Sequence, residues 1–286
     1  MNISRAAPTT AHAAFPNRSV LVLGGSTSRD LAGEFMRVVL PPSTTHAVQR
    51  SWTSSRVESW ELFPAIGKTA FNFTEQYTES VMRPLREAGW QFTQVDPRAA
   101  WAGCASCVSA YRNIDYVAEL NSDRGPVRYE FSWKPELFTD ADEQAFENRY
   151  CSRHYDLVFI GKGLHDAAFH AAHASSERFV ETQLSRLAEQ LRCLPTSALV
   201  FLRTPYVSAV PREQSILVKM AGIMVTMVAN GAFRPLNTFV VDGQQLTSMP
   251  GHPRLTGRPG EVHHYREPLQ RTIWAHVAAV AAQQWQ

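Results

Sequence analysis

The chain has 286 residues, and its 44% hydrophobic content is enough to close a folded core, which excludes a wholly disordered protein. Its 28 basic and 26 acidic residues leave a formal net charge of +2, without a long basic run. This balance excludes a strong electrostatic grip on nucleic acid and favours a small neutral or mildly acidic partner.

Targeting signals are weak in this sequence. Residues 1–17 are small, polar and proline-containing and lack the continuous apolar core of a signal peptide, so they predict a flexible leader. No apolar run approaches the roughly 18 residues that a membrane span needs, and we expect no stable membrane insertion. A secretory-lumenal and a cytoplasmic setting both stay open.

The first clear structural signal is an apolar run that ends in two glycines. Residues 19–24 predict a strand buried on both faces. Residues 26–30 offer hydroxyl and carboxylate groups that favour a helix start. The apolar positions that follow recur at helical spacing: Leu31, Phe35, Val38 and Val39. The first unit is therefore predicted to be a strand, a tight turn and a helix.

Three later apolar runs are similar to the first. They span residues 155–160, 197–202 and 238–242. Stretches with helical character follow them, at residues 176–192, 212–230 and 268–284. This alternation predicts parallel strands joined by crossover helices. Gly231 stands where a helix end favours glycine.

The region between residues 41 and 150 has a weaker pattern. A helix is predicted over residues 73–88, a second strand over 90–95 and an edge strand over 127–133. We interpret about residues 41–150 as a long irregular insertion. The predicted fold class is α/β, with a three-layer arrangement in a single domain over residues 18–286.

Polar residues follow the predicted strands, at the edge where sites form in parallel sheets. After the first strand two glycines permit a sharp turn, and Ser26 falls just before the helix start. A hydroxyl there is exposed, and the helix dipole can stabilise an oxyanion. Ser26 is the candidate nucleophile, although a serine in such a place is often only a turn or cap residue.

Three further groups follow the later strands. Residues 161–165 contain a glycine pair whose backbone N–H groups could approach a reacting oxygen, and the segment ends in His165. Arg203 follows the next strand, with substrate contact and a buried structural pairing as its alternatives. Glu261 and His264 lie three residues apart before the last helix, which suits a hydrogen-bonded carboxylate and imidazole.

Four short blocks carry a resemblance to a known family. GGSTSR at residues 24–29 is similar to the GDSLSR-type block of SGNH (GDSL-like) acyl esterases, particularly the PC-esterase and trichome-birefringence-like branch, with Gly25 in place of the usual aspartate. Gly-Leu-His at 163–165 resembles the family's second glycine block. VFLRT at 200–204 resembles its arginine-threonine strand end, and EVHHY at 261–265 resembles its terminal DxxHY block.

The resemblance implies a flavodoxin-like parallel sheet in an α/β/α fold, and a Ser-His-acid triad that needs no metal or organic cofactor. Ser26 would be the nucleophile and His264 the base, and the backbone N–H groups of Ser26 and Gly163 would be the oxyanion donors. Glu261 stands where the family has aspartate. Asp242, at the end of its strand, is the rival acid.

The predicted substrate-binding set departs from the family in one further respect. No asparagine supplies the family's side-chain oxyanion donor, and His165 and Arg203 are the candidate replacements. For His165, and for Asp166 directly after it, capping of the following helix is an equal alternative to a site role. Gly25 and Arg29, in the first block, complete the predicted set.

The predicted function is acyl transfer at an ester with a small-molecule or glycan substrate, and the resemblance implies an O-acetylated carbohydrate. Hydrolysis and transfer to a sugar hydroxyl share this chemistry, and both stay open. The alternative is a noncatalytic anion- or glycan-binding protein on the same fold, in which the turn at residues 24–28 holds an anion. A nucleotide-using enzyme is disfavoured, because neither GxGxxG nor GxxxxGK[ST] occurs.

The four cysteines allow several roles. Cys104 and Cys107 form a CxxC pair, and Cys151 and Cys193 stand apart. A zinc site would need two further ligands, and no second CxxC or HxxxH supplies them. Disulfide or other structural roles are therefore favoured, and no metal site is predicted.

Overall fold

The computed structural model describes residues 14–40, 83–94, 116–133, 147–208, 210–248 and 267–285. Its strands are, in chain order, β1 (Arg18–Gly24), β2 (Trp90–Gln94), β3 (Tyr116–Ser122), β4 (Gly125–Trp133), β5 (Leu157–Gly161), β6 (Leu199–Arg203) and β7 (Asn237–Val241). Its α-helices are α1 (Ser26–Val38), α2 (Arg83–Glu87), α3 (Leu164–Phe169), α4 (Ala171–Ala174), α5 (Glu177–Leu191), α6 (Pro211–Ala229), α7 (Gly243–Ser248) and α8 (Glu267–Gln284). A π-helical turn occupies Glu147–Cys151.

The strands form a seven-stranded mixed sheet in the order β2-β3-β4-β1-β5-β6-β7. With its helices this is an α/β fold, as predicted. The chain divides into two compact units. The parallel unit comprises Ser19–Asp30 and Ser132–Gln270, and the antiparallel unit comprises Met1–Arg18, Leu31–Phe131 and Arg271–Gln286.

The parallel unit contains β1, β5, β6 and β7, and neighbouring strands run parallel. Leu157 of β5 pairs with Val20 of β1 and with Leu199 of β6. Both β5 and β6 are buried along their whole length, which explains why their sequences are continuous apolar runs. The four strands predicted here are confirmed to within two residues at each end.

Two long helices connect these parallel strands. Ser176 precedes α5, and its hydroxyl accepts a hydrogen bond from the Phe179 N–H at 3.4 Å. Pro211 opens α6, and Gly231 adopts a φ of 77° just after α6 ends, a left-handed conformation that favours glycine. The predictions of helices at these positions and at residues 268–284 are confirmed.

The core of the parallel unit lies between the strands and these two helices. Apolar side chains of the sheet and of both helices are buried together, including Val158, Ile160, Val200, Leu202, Leu184, Leu187, Leu217 and Met220. Burial of side chains of this size contributes about 1.5–3 kcal/mol each before the cost of ordering them. This packing fixes the strand ends that carry the candidate site.

Residues 90–133 depart from the parallel sheet that the resemblance implies. The strands predicted at 90–95 and 127–133 exist as β2 and β4, but both pair antiparallel with β3. β4 lies inside the strand order, so the prediction of an edge strand there is wrong. The side chain of Glu130 explains the error. The alternating pattern predicts that Glu130 faces solvent, but it is fully buried, and its Oε2 lies 3.3 Å from the Arg128 Nη2. Of the helix predicted at 73–88, residues 83–88 fall within the described residues, and Arg83–Glu87 form α2.

An aromatic cluster organises the antiparallel unit. The Phe35 ring stacks on Tyr129 of β4, with ring centroids 4.8 Å apart. The same ring lies 4.8 Å from the Trp274 ring of α8 and 5.0 Å from the Phe15 ring. All four side chains are buried, so residues that precede β1 and residues of α1, β4 and α8 share one core.

A disulfide joins Cys151 to Cys193, with Cα atoms 5.3 Å apart. Cys151 precedes β5 and Cys193 precedes β6, so the bridge lies towards the amino ends of these strands. The structural role favoured for the cysteines is thus confirmed for this pair, whereas Cys104 and Cys107 lie outside the described residues. Within the described ranges, no helix is both long and apolar enough to cross a membrane.

Candidate functional site

The candidate site lies at the carboxyl ends of β1 and β5. These strands are neighbours, and their last residues, Gly24 and Gly161, are paired in the ladder. The chain leaves the parallel unit after Asp30, within α1, and returns to it at Ser132. Along the chain β1 is followed by β2, at one end of the strand order, and β5 is followed by β6, on the other side, so the order changes direction between β1 and β5. Ligands of open α/β sheets bind in the crevice at such a switch point.

Both terminal glycines are required by close packing. A Cβ atom on Gly24 would lie 2.5 Å from the Gly161 carbonyl oxygen and would also collide with the Ser28 hydroxyl. A Cβ atom on Gly161 would meet the same hydroxyl and would lie 2.7 Å from the Arg203 Nη2. Real Cβ atoms do not approach other atoms this closely, so a backbone oxygen excludes a side chain at Gly24, and a side chain at Gly161 would force the Ser28 and Arg203 side chains to move.

The turn after β1 leads into α1, whose first three residues include Ser26 and Ser28. Ser28 is fully buried, and its hydroxyl donates a hydrogen bond to the Gly161 carbonyl at 3.1 Å. Its N–H donates to the Gly25 carbonyl at 3.0 Å, which closes the turn. Ser28 therefore ties the start of α1 to the end of β5 and is not accessible to a substrate. Ser26 is the first residue of α1, and its side chain lies outside the described residues.

The turn after β5 places Gly163 in a backbone conformation that favours glycine. Its φ is 101° and its ψ is −18°, in the left-handed region, and it precedes α3 without a side-chain cap. The Ala167 N–H donates to the Gly163 carbonyl at 3.2 Å, so this turn leads directly into the helix. The prediction that the Gly163 N–H is an oxyanion donor stays a prediction, and the side chain of His165 is outside the described residues.

Two charged residues lie beside Gly163: Lys162, to which the sequence assigns no role, and Asp166, for which helix capping and a site role are equal alternatives. Lys162 is 8% exposed and Asp166 is fully buried, in the first turn of α3. The cap position of α3 belongs to Gly163 and Asp166 lies three residues further on, so the site role of Asp166 stays a prediction. The sequence does carry a signal for the burial of Asp166, which is a carboxylate between two apolar segments. Buried charges require partners, so such a residue is a site candidate.

Arg203 ends β6 at the same edge of the sheet. Its side chain is 2% exposed, and the guanidinium carbon lies 4.0 Å from the centroid of the buried Tyr206 ring. This is the distance of a cation–π contact. Since the Arg203 Nη2 also lies 2.7 Å from where a Cβ atom on Gly161 would be, a buried positive charge lies near the end of β5.

Asp242 follows β7 and serves as the cap of α7. Its Oδ1 accepts a hydrogen bond from the Gln245 N–H at 3.0 Å and another from the Thr204 hydroxyl at 3.3 Å. The Thr204 Oγ1 in turn accepts the Gly243 N–H at 2.8 Å. This network fixes the loop after β6 to the loop after β7, and it gives Asp242 a structural role.

The remaining predicted site residues are placed only in part. Glu261 and His264 lie outside the described residues, and their pairing with Ser26 stays a prediction. Gly25 is buried within the turn, and Arg29 lies in the first turns of α1 with its side chain outside the described set. Among the residues that the structure describes, no group of three or more histidine, cysteine or acidic side chains could hold a metal ion.

Comparisons with models of protein families, with curated proteins and with solved structures find no match to this chain.

Proposed function

We propose that the chain is a serine-dependent ester hydrolase or O-acyltransferase of the SGNH type, acting on an acylated carbohydrate or similar ester. One observation supports this most strongly. The glycine turn that carries Ser26 and the glycine turn that carries Gly163 follow paired strand ends, and the Ser28–Gly161 hydrogen bond holds them together. A nucleophile and an oxyanion donor need this proximity.

The proposed chemistry uses groups at both turns. The His264 imidazole takes the proton of the Ser26 hydroxyl, whose oxygen attacks the ester carbonyl carbon. The backbone N–H groups of Ser26 and Gly163 stabilise the negative charge on the carbonyl oxygen. When the tetrahedral intermediate collapses, the C–O bond to the alcohol breaks and His264 returns the proton to the leaving oxygen.

The acyl-enzyme is resolved by the same groups in the second half of the reaction. His264 takes a proton from water or from a sugar hydroxyl, whose oxygen attacks the acyl carbon. The bond between that carbon and the Ser26 oxygen then breaks, and His264 returns the proton to Ser26. Water gives hydrolysis and the sugar hydroxyl gives transfer. Glu261 is the proposed acid that orients His264, and His165 and Arg29 are the proposed substrate contacts. The buried guanidinium of Arg203 adds positive potential at the same edge.

Within the α/β class we propose a specific fold type for the chain. Four parallel strands with crossover helices, and a nucleophile turn after β1, support an SGNH-type parallel unit in three layers. In this proposal β2, β3 and β4 belong to the insertion over about residues 41–150. The Cys151–Cys193 disulfide supports folding in an oxidising compartment, since such bonds persist there.

Labelling with a fluorophosphonate probe tests the proposed function. We expect a covalent adduct on the peptide that contains Ser26, located by mass spectrometry, together with hydrolysis of an acetyl ester. Ser26→Ala should lose both. Ser248→Ala is a matched control, because its exposed hydroxyl bonds only to the Gln244 carbonyl of its own helix.

Two outcomes would count against the proposal. A folded wild-type protein that takes no label and cleaves no acetyl ester would favour a noncatalytic anion- or glycan-binding protein. Gly25, which stands where the family has aspartate, is the feature that favours this second function. Equal labelling of wild type and Ser26→Ala would show that another residue is the nucleophile.

A further inference from the structure

The exposed side of α6 differs in composition from that of its neighbour α5. Seven residues of α5 are exposed, and five of them are charged: Glu177, Arg178, Glu181, Arg186 and Glu189. This is the usual composition of a helix side that faces water. After the first turn of α6, residues 215–229 also include seven exposed positions, but only Lys219 among them is charged. These positions recur every three or four residues, so they lie on one side of the helix, which we call the α6 face.

Two valines dominate the α6 face. Val218 is 52% exposed and Val225 is 44% exposed, and no other large hydrophobic side chain among the described residues is exposed. They are two helical turns apart, so both point to the same side of α6. Exposed apolar side chains that form a patch, on a face with a single charge, are typical of a contact surface.

A groove of about 350 Å³ lies beside the valines, between α5 and α6. Gly222 belongs both to the α6 face and to the lining of this groove. A Cβ atom on Gly222 would meet nothing within 4 Å beyond the neighbouring backbone of its own helix. Ile223 and Met227 also line the groove, so its lining is partly apolar. The groove therefore has room for the side chains of a partner.

Charged side chains of both signs line the same groove. Glu177 and Glu181 belong to α5, and Lys219 belongs to α6. None of the three makes an ion pair or a side-chain hydrogen bond with another described residue. A partner with one sign of charge would leave the other sign unmatched, whereas a second copy of this chain presents both. Charge complementarity therefore favours a second copy as the occupant.

A two-fold axis at the middle of the α6 face matches the apolar groups. In an interface of this kind, residue i of one copy meets residue j of the other, and j meets i. The midpoint between Val218 and Val225 falls between residues 221 and 222. Two α6 helices packed antiparallel about this point bring Val218 of one copy against Val225 of the second copy, twice. Gly222 lies at the centre, where the missing side chain lets the helices approach closely.

The same axis brings the charged groups within reach of each other. It sets residue 219 of one copy at the level of residue 224 of the second copy. The lining of the groove on α6 extends from Lys219 to Met227, so this level lies within the groove that Glu177 and Glu181 also line. The Lys219 ammonium group of each copy then meets the carboxylates of the other.

The area of the surface suits a weak dimer. α6 has 19 residues and is therefore about 28 Å long, and with α5 beside it the surface is about 20 Å wide. Such a footprint is on the order of 500 Å² per copy, which is at the small end of specific protein–protein interfaces. We therefore expect a dimer that forms at micromolar concentrations.

We propose that the α6 face and the groove beside it bind a second copy of this chain, and that the two α6 helices pack antiparallel in a two-fold symmetric dimer. The contact covers the exposed valines and pairs Lys219 with the acidic side chains of α5. This interaction goes beyond the proposed function and does not depend on it.

Multiangle light scattering and sedimentation velocity of the full chain over a concentration series test this proposal. We expect a mass of twice the 32.0 kDa of one chain at micromolar concentrations and a fall towards 32.0 kDa on dilution. Val218→Glu should raise the Kd of the dimer by about 100-fold or more, because the symmetry buries two unpaired carboxylates. Thr196→Glu adds the same charge in the exposed turn between α5 and β6 and should keep the wild-type Kd.

Charge reversal tests the pairing across the axis. Lys219→Glu should raise the Kd by about tenfold or more, since it sets like charges against each other. Adding Glu177→Lys and Glu181→Lys inverts all three charges and should restore most of the affinity. Failure of this rescue, in variants with a wild-type circular dichroism spectrum, would overturn the proposed pairing.

Two further outcomes would overturn the proposal as a whole. A wild-type chain that stays monomeric throughout the concentration series would show that no second copy binds the α6 face, whether another part of the chain or a different protein covers it. A dimer with the wild-type Kd in Val218→Glu would place the interface elsewhere. Neither result bears on the chemistry of Ser26, so the proposed function is tested separately.

Discussion

The Ser28 hydroxyl donates a hydrogen bond to the Gly161 carbonyl across 3.1 Å, between residues that are 133 positions apart in the chain. The bond connects the turn that starts α1 with the end of β5, and both partners are buried. A buried carbonyl that loses its donor costs about 1–3 kcal/mol, because water cannot replace the donor.

Ser28→Ala should therefore lower the free energy of unfolding by about 1–3 kcal/mol and slow the labelling of Ser26. Chemical denaturation and the labelling rate measure the two effects. Ser175→Ala removes an exposed hydroxyl that bonds to the Ala172 carbonyl, and this control should change neither quantity appreciably. Wild-type stability in Ser28→Ala would contradict the structural role given to this bond.

Gly163 and Gly222 offer a matched pair of glycine substitutions. Gly163→Ala places a side chain at a φ of 101°, so it should lower the free energy of unfolding by about 1–2 kcal/mol and also reduce labelling of Ser26. Gly222 lies within α6, and a Cβ atom there would have open space within 4 Å beyond the helix's own backbone. Gly222→Ala should thus raise stability by about 0.5–1 kcal/mol without affecting labelling. Thermal unfolding of both variants checks the opposite signs.

The Cys151–Cys193 disulfide closes a loop with a sequence separation of 42 residues. On the chain-entropy account, a loop of this size stabilises the folded state by about 4 kcal/mol. The double variant Cys151→Ser with Cys193→Ser should thus unfold at a clearly lower temperature in nonreducing buffer. In reducing buffer the wild type should approach the variant, and a persistent difference there would point to a cause other than the bond.

The strands of the parallel unit could be predicted because each is a continuous apolar run with no alternation; β1, β5 and β6 are largely buried, and β7 is half-buried over residues 238–240. β3 was not predicted, and its residues show why. Tyr116, Ala118 and Leu120 are buried while Glu119 is exposed, so buried and more exposed residues alternate as expected for a strand. The buried side, however, includes only one branched aliphatic residue. Its pairing with β2 and β4 then depends on contacts between residues distant in the chain, which local patterns do not encode.

The candidate site was predictable to a similar extent. The positions of Ser26, Gly163 and Arg203 follow from where strands end. The burial of Ser28 does not, because a serine in a helix cap and a serine bonded to a distant carbonyl have the same local sequence. The capping role of Asp242 likewise depends on Thr204, 38 residues away, whose hydroxyl meets it only in the folded chain.

Burial of the His276 imidazole lowers its pKa below the ordinary value, by desolvation of the charged form. Above about pH 6.5 the imidazole is neutral in both the folded and the unfolded chain, so its titration does not change the free energy of unfolding. Below that pH the unfolded chain binds the proton more readily, so stability falls as pH decreases. His276→Gln should reduce this loss, measured as the free energy of unfolding at pH 8 and pH 5. An identical pH dependence in the variant would show that His276 does not contribute.

Two charge-removing substitutions, at Asp242 and at Glu261, test which carboxylate is the triad acid. Asp242 already accepts the Gln245 N–H and the Thr204 hydroxyl at its Oδ1, so we expect it to stabilise α7 rather than orient His264. Asparagine caps helices about as well as aspartate, so Asp242→Asn should retain labelling of Ser26 and most of its stability.

Glu261→Gln should lower the turnover of an acetyl ester by several hundredfold or more, because loss of the charge leaves the imidazolium unsupported, an effect of about 10⁴ in triad enzymes. Both variants keep the size of the side chain, so a circular dichroism spectrum like that of wild type makes the comparison one of charge alone. The reverse result, with turnover lost only in Asp242→Asn, would make Asp242 the acid and would require its second carboxylate oxygen, Oδ2, to face His264.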